Sequence, residues 1–232
     1  MTFPSTSSRK VSRAGGASAI RRRLLSWWTS DGKRAFPWRR SRDPYAYLLA
    51  EVLLQRTRAE NVAPIYRGLF TRAPTIEALA GLPVRSIRAL IRPLGLPTRA
   101  DLISKAARSI VADFKSRVPL DPGELASLPG VGPYTAHAVP VFAAGARYVL
   151  LDWTTARVIG RLFGLSPRKR PNADHRLRDL AQQLLGRADP RNLNWALIDL
   201  AATLCGVRPK CSECPLRHDC ETGRQGLTRR LR

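Results

Sequence analysis

The chain has 232 residues, 44% of them hydrophobic, which suffices for one large or two small cored domains and excludes global disorder. Its 40 Lys and Arg against 17 Asp and Glu leave a formal net charge of +23, which implies a polyanionic partner: nucleic acid first, an anionic membrane surface second. No apolar run approaches the roughly 20 residues of a membrane span, and no signal-peptide core follows the N-terminal charges, so a cytoplasmic protein is expected.

Residues 1–17 are rich in Ser, Gly and Arg, with no acidic residue before Asp31, and read as a flexible basic arm. A helix beginning near Ala19 carries Leu24, Leu25, Trp27 and Trp28. Phe36-Pro37-Trp38 forms an apolar, proline-stiffened link. Asp43-Pro44 then joins an N-cap to a proline at the first helical position. The helix it opens places Leu48, Leu49, Val52 and Leu53 on one buried face, with Glu51 and Gln55 four apart on another. Further helices are predicted over 58–72, 75–81, 84–92 and 99–116, broken at Gly95-Leu96-Pro97.

Residues 121–128 lead into Leu128-Pro129-Gly130-Val131-Gly132-Pro133-Tyr134-Thr135. Two glycines around one apolar residue, between helical segments, make a tight hairpin whose backbone can approach another surface closely. Backbone N–H groups at a helix N-terminus suit an anion such as a DNA phosphate; a plain helix–turn–helix linker is the alternative. The helix over 133–144 leaves the hairpin, and Pro140 should kink it. Asp152, 18 residues after Tyr134, caps a helix over 153–163. Helices near 173–186 and 190–204 follow, and 221–232 read as a polar, basic tail. With no alternating strand pattern and no fixed-period repeat, the chain is expected to be all-α.

All four cysteines, Cys205, Cys211, Cys214 and Cys220, fall in one loop with the spacing C-x5-C-x2-C-x5-C. A disulfide scaffold would spread them over the fold, so they read as metal ligands. Four thiolates at this spacing suit a [4Fe–4S] cluster or a four-cysteine zinc site. Zinc more often uses two separated CxxC pairs, and only one pair here is CxxC, which favours iron–sulfur. Arg208, Lys210 and Arg217 could present charge from the same loop.

Taken together, the hairpin, the aspartate beyond it and the cysteine loop resemble the helix-hairpin-helix DNA glycosylases of the endonuclease III superfamily, over about residues 20–222. Phe36-Pro37-Trp38-Arg39, Arg42-Asp43-Pro44-Tyr45 and Glu51-Val52-Leu53-Leu54-Gln55-Arg56-Thr57 are similar to its adenine-specific and thymine-DNA mismatch branch. The resemblance implies two helical lobes with a DNA cleft between them. A six-helix lobe would span 36–146; a [4Fe–4S] cluster lobe would combine 18–35 with 147–223, leaving a basic tail at 224–232.

The same resemblance implies the site. Asp152 would stabilise the positive charge that builds on the sugar as an N-glycosidic bond breaks, or orient the attacking water; its plain alternative is an N-cap. Tyr134 stands where bifunctional members carry the lysine that forms a Schiff base, so no efficient lyase action is expected. Glu51 would protonate, or hydrogen-bond, the leaving base, or hold the water. Gly130, Val131 and Gly132 would hold a phosphate. Gln55 and Arg56 occupy the wedge position, with Arg56 the inserted side chain, and the turn at Leu96, Pro97 and Thr98 would approach the opposite strand.

Several positions depart from the family pattern. The first cysteine gap is five where six is usual. Trp153 replaces a small residue and could narrow the pocket, stack on a base or join the core. His137 is expected to be structural. The chain stops soon after the cysteine loop, where adenine-specific members carry a further domain. The expectation is a monomeric, nucleoid-associated glycosylase acting on double-stranded DNA with a mismatched or damaged base, most simply T or U opposite G. The rivals are a glycosylase for adenine or another damaged base, and a non-catalytic iron–sulfur DNA-binding protein.

Overall fold

The computed structural model describes residues 13–95, 97–166 and 171–229. In chain order its α-helices are α1 (Arg13–Trp27), α2 (Pro44–Leu54), α3 (Ala59–Arg72), α4 (Ile76–Gly81), α5 (Val84–Ile91), α6 (Arg99–Asp113), α7 (Pro122–Ser127), α8 (Pro133–Ala144), α9 (Trp153–Phe163), α10 (His175–Leu185), α11 (Pro190–Thr203) and α12 (Glu221–Arg229). Among the described residues there is no strand, as the sequence pattern predicts. None of these helices is long and apolar enough to cross a membrane. The chain divides into two compact units, Arg34–Leu150 and a second made of Met1–Lys33 with Leu151–Arg232.

The unit Arg34–Leu150 is built around α2. Every residue from Tyr45 to Leu53 is buried, so this helix is enclosed on all sides by α3, α6 and α8. Its start is the one read from the sequence: the Asp43 carboxylate accepts from the Tyr45 N–H at 2.9 Å, with Pro44 in the first turn. Two phenols buried with α2 find carbonyl partners. Tyr45 donates to Ala73 O at 2.6 Å and Tyr47 to Ser41 O at 2.9 Å. Burial raises both phenols, Tyr47 to about 12, so both remain protonated donors. The helix α8 continues across Pro140 as one element, so the proline does not divide it.

In the other unit, Ala17, Ile20, Leu24 and Trp28 recur every three or four residues and are all buried. That stripe packs α1 on α10 and α11. It also corrects the expected basic arm over 1–17. The helix begins at Arg13 rather than near Ala19, because burial of its apolar stripe outweighs a polar, glycine-containing start. Residues 1–12 lie outside the described residues. Trp28 donates its indole N–H to the fully buried Asp199 carboxylate at 2.9 Å and stacks on Trp195.

The basic tail over 224–232 gains structure over most of its length. Glu221–Arg229 is a helix packed on α9, and residues 230–232 lie outside the described residues. Gly223 permits that docking, since a Cβ there would sit 2.5 Å from the Arg217 carbonyl oxygen. If α1 is integral to its unit, Leu24→Ala should destabilise the protein by about 2–5 kcal/mol, read as a lower midpoint in chemical denaturation.

Candidate functional site

Between α7 and α8 the chain turns through Leu128–Gly132. The Val131 N–H donates to Leu128 O at 3.1 Å, and Gly130 adopts φ +81°. That angle favours glycine, and packing adds a second demand: a Cβ at Gly130 would lie 2.9 Å from the Leu102 Cβ. Gly132 is the N-cap of α8; a Cβ there would meet nothing within 4 Å, and no side chain caps the helix. This helix start thus offers backbone donors and open space to an anion.

Tyr134 lies half-buried in the first turn of α8. One turn on, the His137 ring N–H donates to Pro133 O at 2.8 Å, and the ring stacks on Tyr148 at 4.4 Å. The structural role expected of His137 thus has a partner that the sequence did not name. Glu51 is 8% exposed, a carboxylate in a helix whose buried neighbours are apolar or aromatic. One turn beyond it, the Gln55 amide donates to Gly130 O at 2.9 Å, tying the end of α2 to the hairpin.

The turn after α2 holds Arg56, which is exposed and has φ +55°. Behind it lies a residue that sequence reasoning missed. Arg99, 3% exposed, donates to Leu53 O at 2.8 Å, Gln55 O at 2.6 Å and Thr57 Oγ1 at 3.3 Å. Burial lowers its pKa, yet an arginine stays charged. Pro97 lines a groove of 550 Å³ with Arg85, Arg88 and Arg92, while Leu96 lies outside the described residues.

Asp152 belongs to the other unit and caps α9. Its Oδ1 accepts from the Thr154 and Thr155 N–H groups at 2.9 and 2.7 Å, and from both threonine hydroxyls at 2.8 and 2.9 Å. Oδ2 faces the Thr154 hydroxyl at 2.9 Å. The Asp152 N–H donates back to Thr155 Oγ1 at 3.0 Å, completing a capping box. One oxygen is therefore consumed in holding the carboxylate, and the other keeps lone pairs for a further proton donor. Trp153 is 57% exposed, which removes the core role from its alternatives.

The cysteine loop is gripped from α9. Arg157 donates to Cys205 O at 3.0 Å; Arg161 donates to Gly206 O at 2.6 Å, Val207 O at 3.0 Å and Cys205 Sγ at 3.5 Å. Cys220 Sγ in turn donates to Arg161 O at 3.2 Å. Burial, reinforced by the other three thiols, pushes the Cys214 thiol up to about 11. Among the described residues no group of three or more His, Cys, Asp or Glu side chains is arranged to hold a metal ion.

Residues 49–184 match the model of the HhH-GPD superfamily of base excision DNA repair proteins. The chain is 37% identical over 215 residues to a thymine/uracil-DNA glycosylase of Pyrobaculum aerophilum, covering 90% of this chain and 93% of that protein. A thermostable thymine-DNA glycosylase structure superposes with a TM-score of 0.83 at 34% identity, covering 91% of this chain and 98% of the other. A non-covalent endonuclease III–DNA complex gives 0.75 at 25% identity, with the same coverage. If Gly130 is held as described, Gly130→Ala should cost about 1–3 kcal/mol from strain and overpacking, measured by denaturation, and should weaken duplex binding at fixed salt.

Proposed function

The chain belongs to the HhH-GPD superfamily of base excision DNA repair proteins, and from that footing we propose that it is a monofunctional DNA glycosylase acting on thymine or uracil mispaired with guanine. The reading rests chiefly on Asp152, a carboxylate anchored through one oxygen at a helix N-terminus in a chain that is 37% identical to a thymine/uracil-DNA glycosylase. Four hydrogen bonds to Oδ1 fix the position of that carboxylate at the start of α9.

In this account the basic surface scans duplex DNA through salt-dependent phosphate contacts. Gly130, Val131 and Gly132 take a backbone phosphate at the start of α8. The mispaired nucleotide leaves the stack, at a cost of a few kcal/mol, with Arg56 filling the gap. Asp152 then opposes the positive charge growing on the sugar, while Oδ2 orients water. Glu51, buried in α2, hydrogen-bonds or protonates the departing base. Tyr134 has a phenol where Schiff-base chemistry needs an amine, so the reaction ends at an abasic site. The protein acts as a monomer in this account.

Cys205, Cys211, Cys214 and Cys220 would together hold a [4Fe–4S] cluster. Four free cysteines in one loop supply the all-thiolate donor set that such a group takes. When bound, it supplies four metal–thiolate bonds that close the loop.

Asp152→Asn should lower single-turnover excision by about 1,000-fold while duplex affinity stays within about threefold. Cleavage at the parent rate would overturn the mechanism, and no alkali-sensitive breaks from the parent on a panel of mismatched and damaged duplexes would overturn the enzyme reading. Cys214→Ser should lose protein-bound iron and lower the melting temperature; zinc in the parent instead would refute the cluster assignment.

A further inference from the structure

The end of α2 is held from two directions. From one side the buried Arg99 guanidinium meets Leu53 O, Gln55 O and Thr57 Oγ1. From the other, Gln55 donates to Gly130 O in the hairpin. Between these anchors stands Arg56, exposed, with its backbone at φ +55°, a left-handed conformation that arginine adopts at a cost. The Thr57 N–H to Leu54 O bond and the Thr57 hydroxyl to Gln55 O bond close the same turn.

Placement of Arg99 indicates what it serves. It occupies the first position of α6, where the helix dipole disfavours a cation, and it is buried, where its charge costs desolvation. Both penalties are offset by its reach to the C-terminal carbonyls of α2, where a cation is favoured. A neutral aliphatic side chain could fill the volume, but only a planar fork with several donors can bridge two carbonyls and a hydroxyl at once. The result is a strained backbone fixed from inside, with one charged side chain projecting outward.

We propose that Arg99 is a positioning residue for base extrusion: it fixes the turn Gln55–Thr57 so that Arg56 is presented to the duplex in register with the phosphate-binding hairpin. This rests on the glycosylase reading and deepens it. Arg99 touches no substrate. Its loss frees the turn to relax toward ordinary φ values, and Arg56 then no longer enters the stack at the hairpin's register.

The test compares the full-length parent, Arg99→Met, Arg56→Ala and the double variant in single-turnover excision of uracil. One substrate is a G·U pair in duplex DNA; the other is uracil in a small unpaired bubble, where no extrusion is needed. Arg99→Met should lose about 10- to 100-fold on the pair but less than about threefold on the bubble. Arg56→Ala should show the same selective loss, and the double variant should be no worse than the poorer single. Equal losses on both substrates, or losses that multiply in the double variant, would show a merely structural role and overturn the proposal.

If Arg99→Met does not fold, Arg99→Lys carries the same comparison, with a selective loss of about fivefold expected because a point ammonium cannot bridge all three acceptors. Failure of the glycosylase reading would be visible separately, as a parent that excises from neither substrate. Extrusion is then followed without chemistry, through fluorescence of 2-aminopurine beside the mismatch. Binding of the parent should raise that signal and binding of Arg99→Met should not; a parent without signal, or a variant matching it, sinks the proposal.

Discussion

A helix that is buried on every side cannot shift without unpacking its unit, and α2 is in that position. Nine consecutive buried residues, Tyr45 to Leu53, leave it no solvent face on which to slide or rotate. Its ends are closed by groups of matching sign. The Asp43 carboxylate sits at the N-terminus, where the dipole favours an anion, and the Arg99 guanidinium sits at the C-terminus, where it favours a cation. Glu51 is carried inside that frame, so its environment is set by close-packed neighbours rather than by a mobile loop. The hairpin inherits the same rigidity through one hydrogen bond, from Gln55 to Gly130.

The second unit uses α9 in a comparable way, with its two ends performing different tasks. At the N-terminus, the capping box holds Asp152 through Oδ1. Near the C-terminus, Arg161 threads hydrogen bonds into Cys205, Gly206 and Val207, and its own carbonyl accepts from Cys220 Sγ. A rod of 11 residues therefore connects the cysteine loop to the aspartate. Slack at Cys205 would therefore be felt along the same helix that carries the proposed catalytic carboxylate.

Much of this was legible in the sequence, and what was legible shares a cause. Asp43-Pro44, Pro133 after Gly132, and Asp152 before Trp153 each state a helix start in local chemistry, because a cap acts within three residues of itself. The helices over 133–144 and 153–163 accordingly begin and end where expected. What was missed depends on partners distant in sequence. Residues 13–17 are polar enough to read as a flexible arm, and the helix there is explained by burial of Ala17 against other helices; the helix over 221–229, which the sequence left open, docks through Gly223 on the Arg217 backbone. The sequence did not show that the Gln55 amide meets a carbonyl 75 residues away. Arg99 meets its carbonyls across 46 and 44 residues, and nothing in the sequence around it announces them.

That asymmetry bears on how specificity is built into such a chain. Phosphate binding and charge stabilisation need donors and an anion at helix termini, features that short motifs encode directly. In the proposed extrusion step Arg56 stands on a backbone in the left-handed region, and the contacts that hold it there come from outside its own segment. Here they are made by a buried guanidinium on a neighbouring helix, offset by carbonyls that α2 would otherwise leave unsatisfied at its C-terminus. The strain at Arg56 and the buried charge at Arg99 are each unfavourable alone and stable only together. Under the proposed mechanism, such residues, remote in sequence and hidden from solvent, set how the neighbouring exposed side chain is held beside the hairpin.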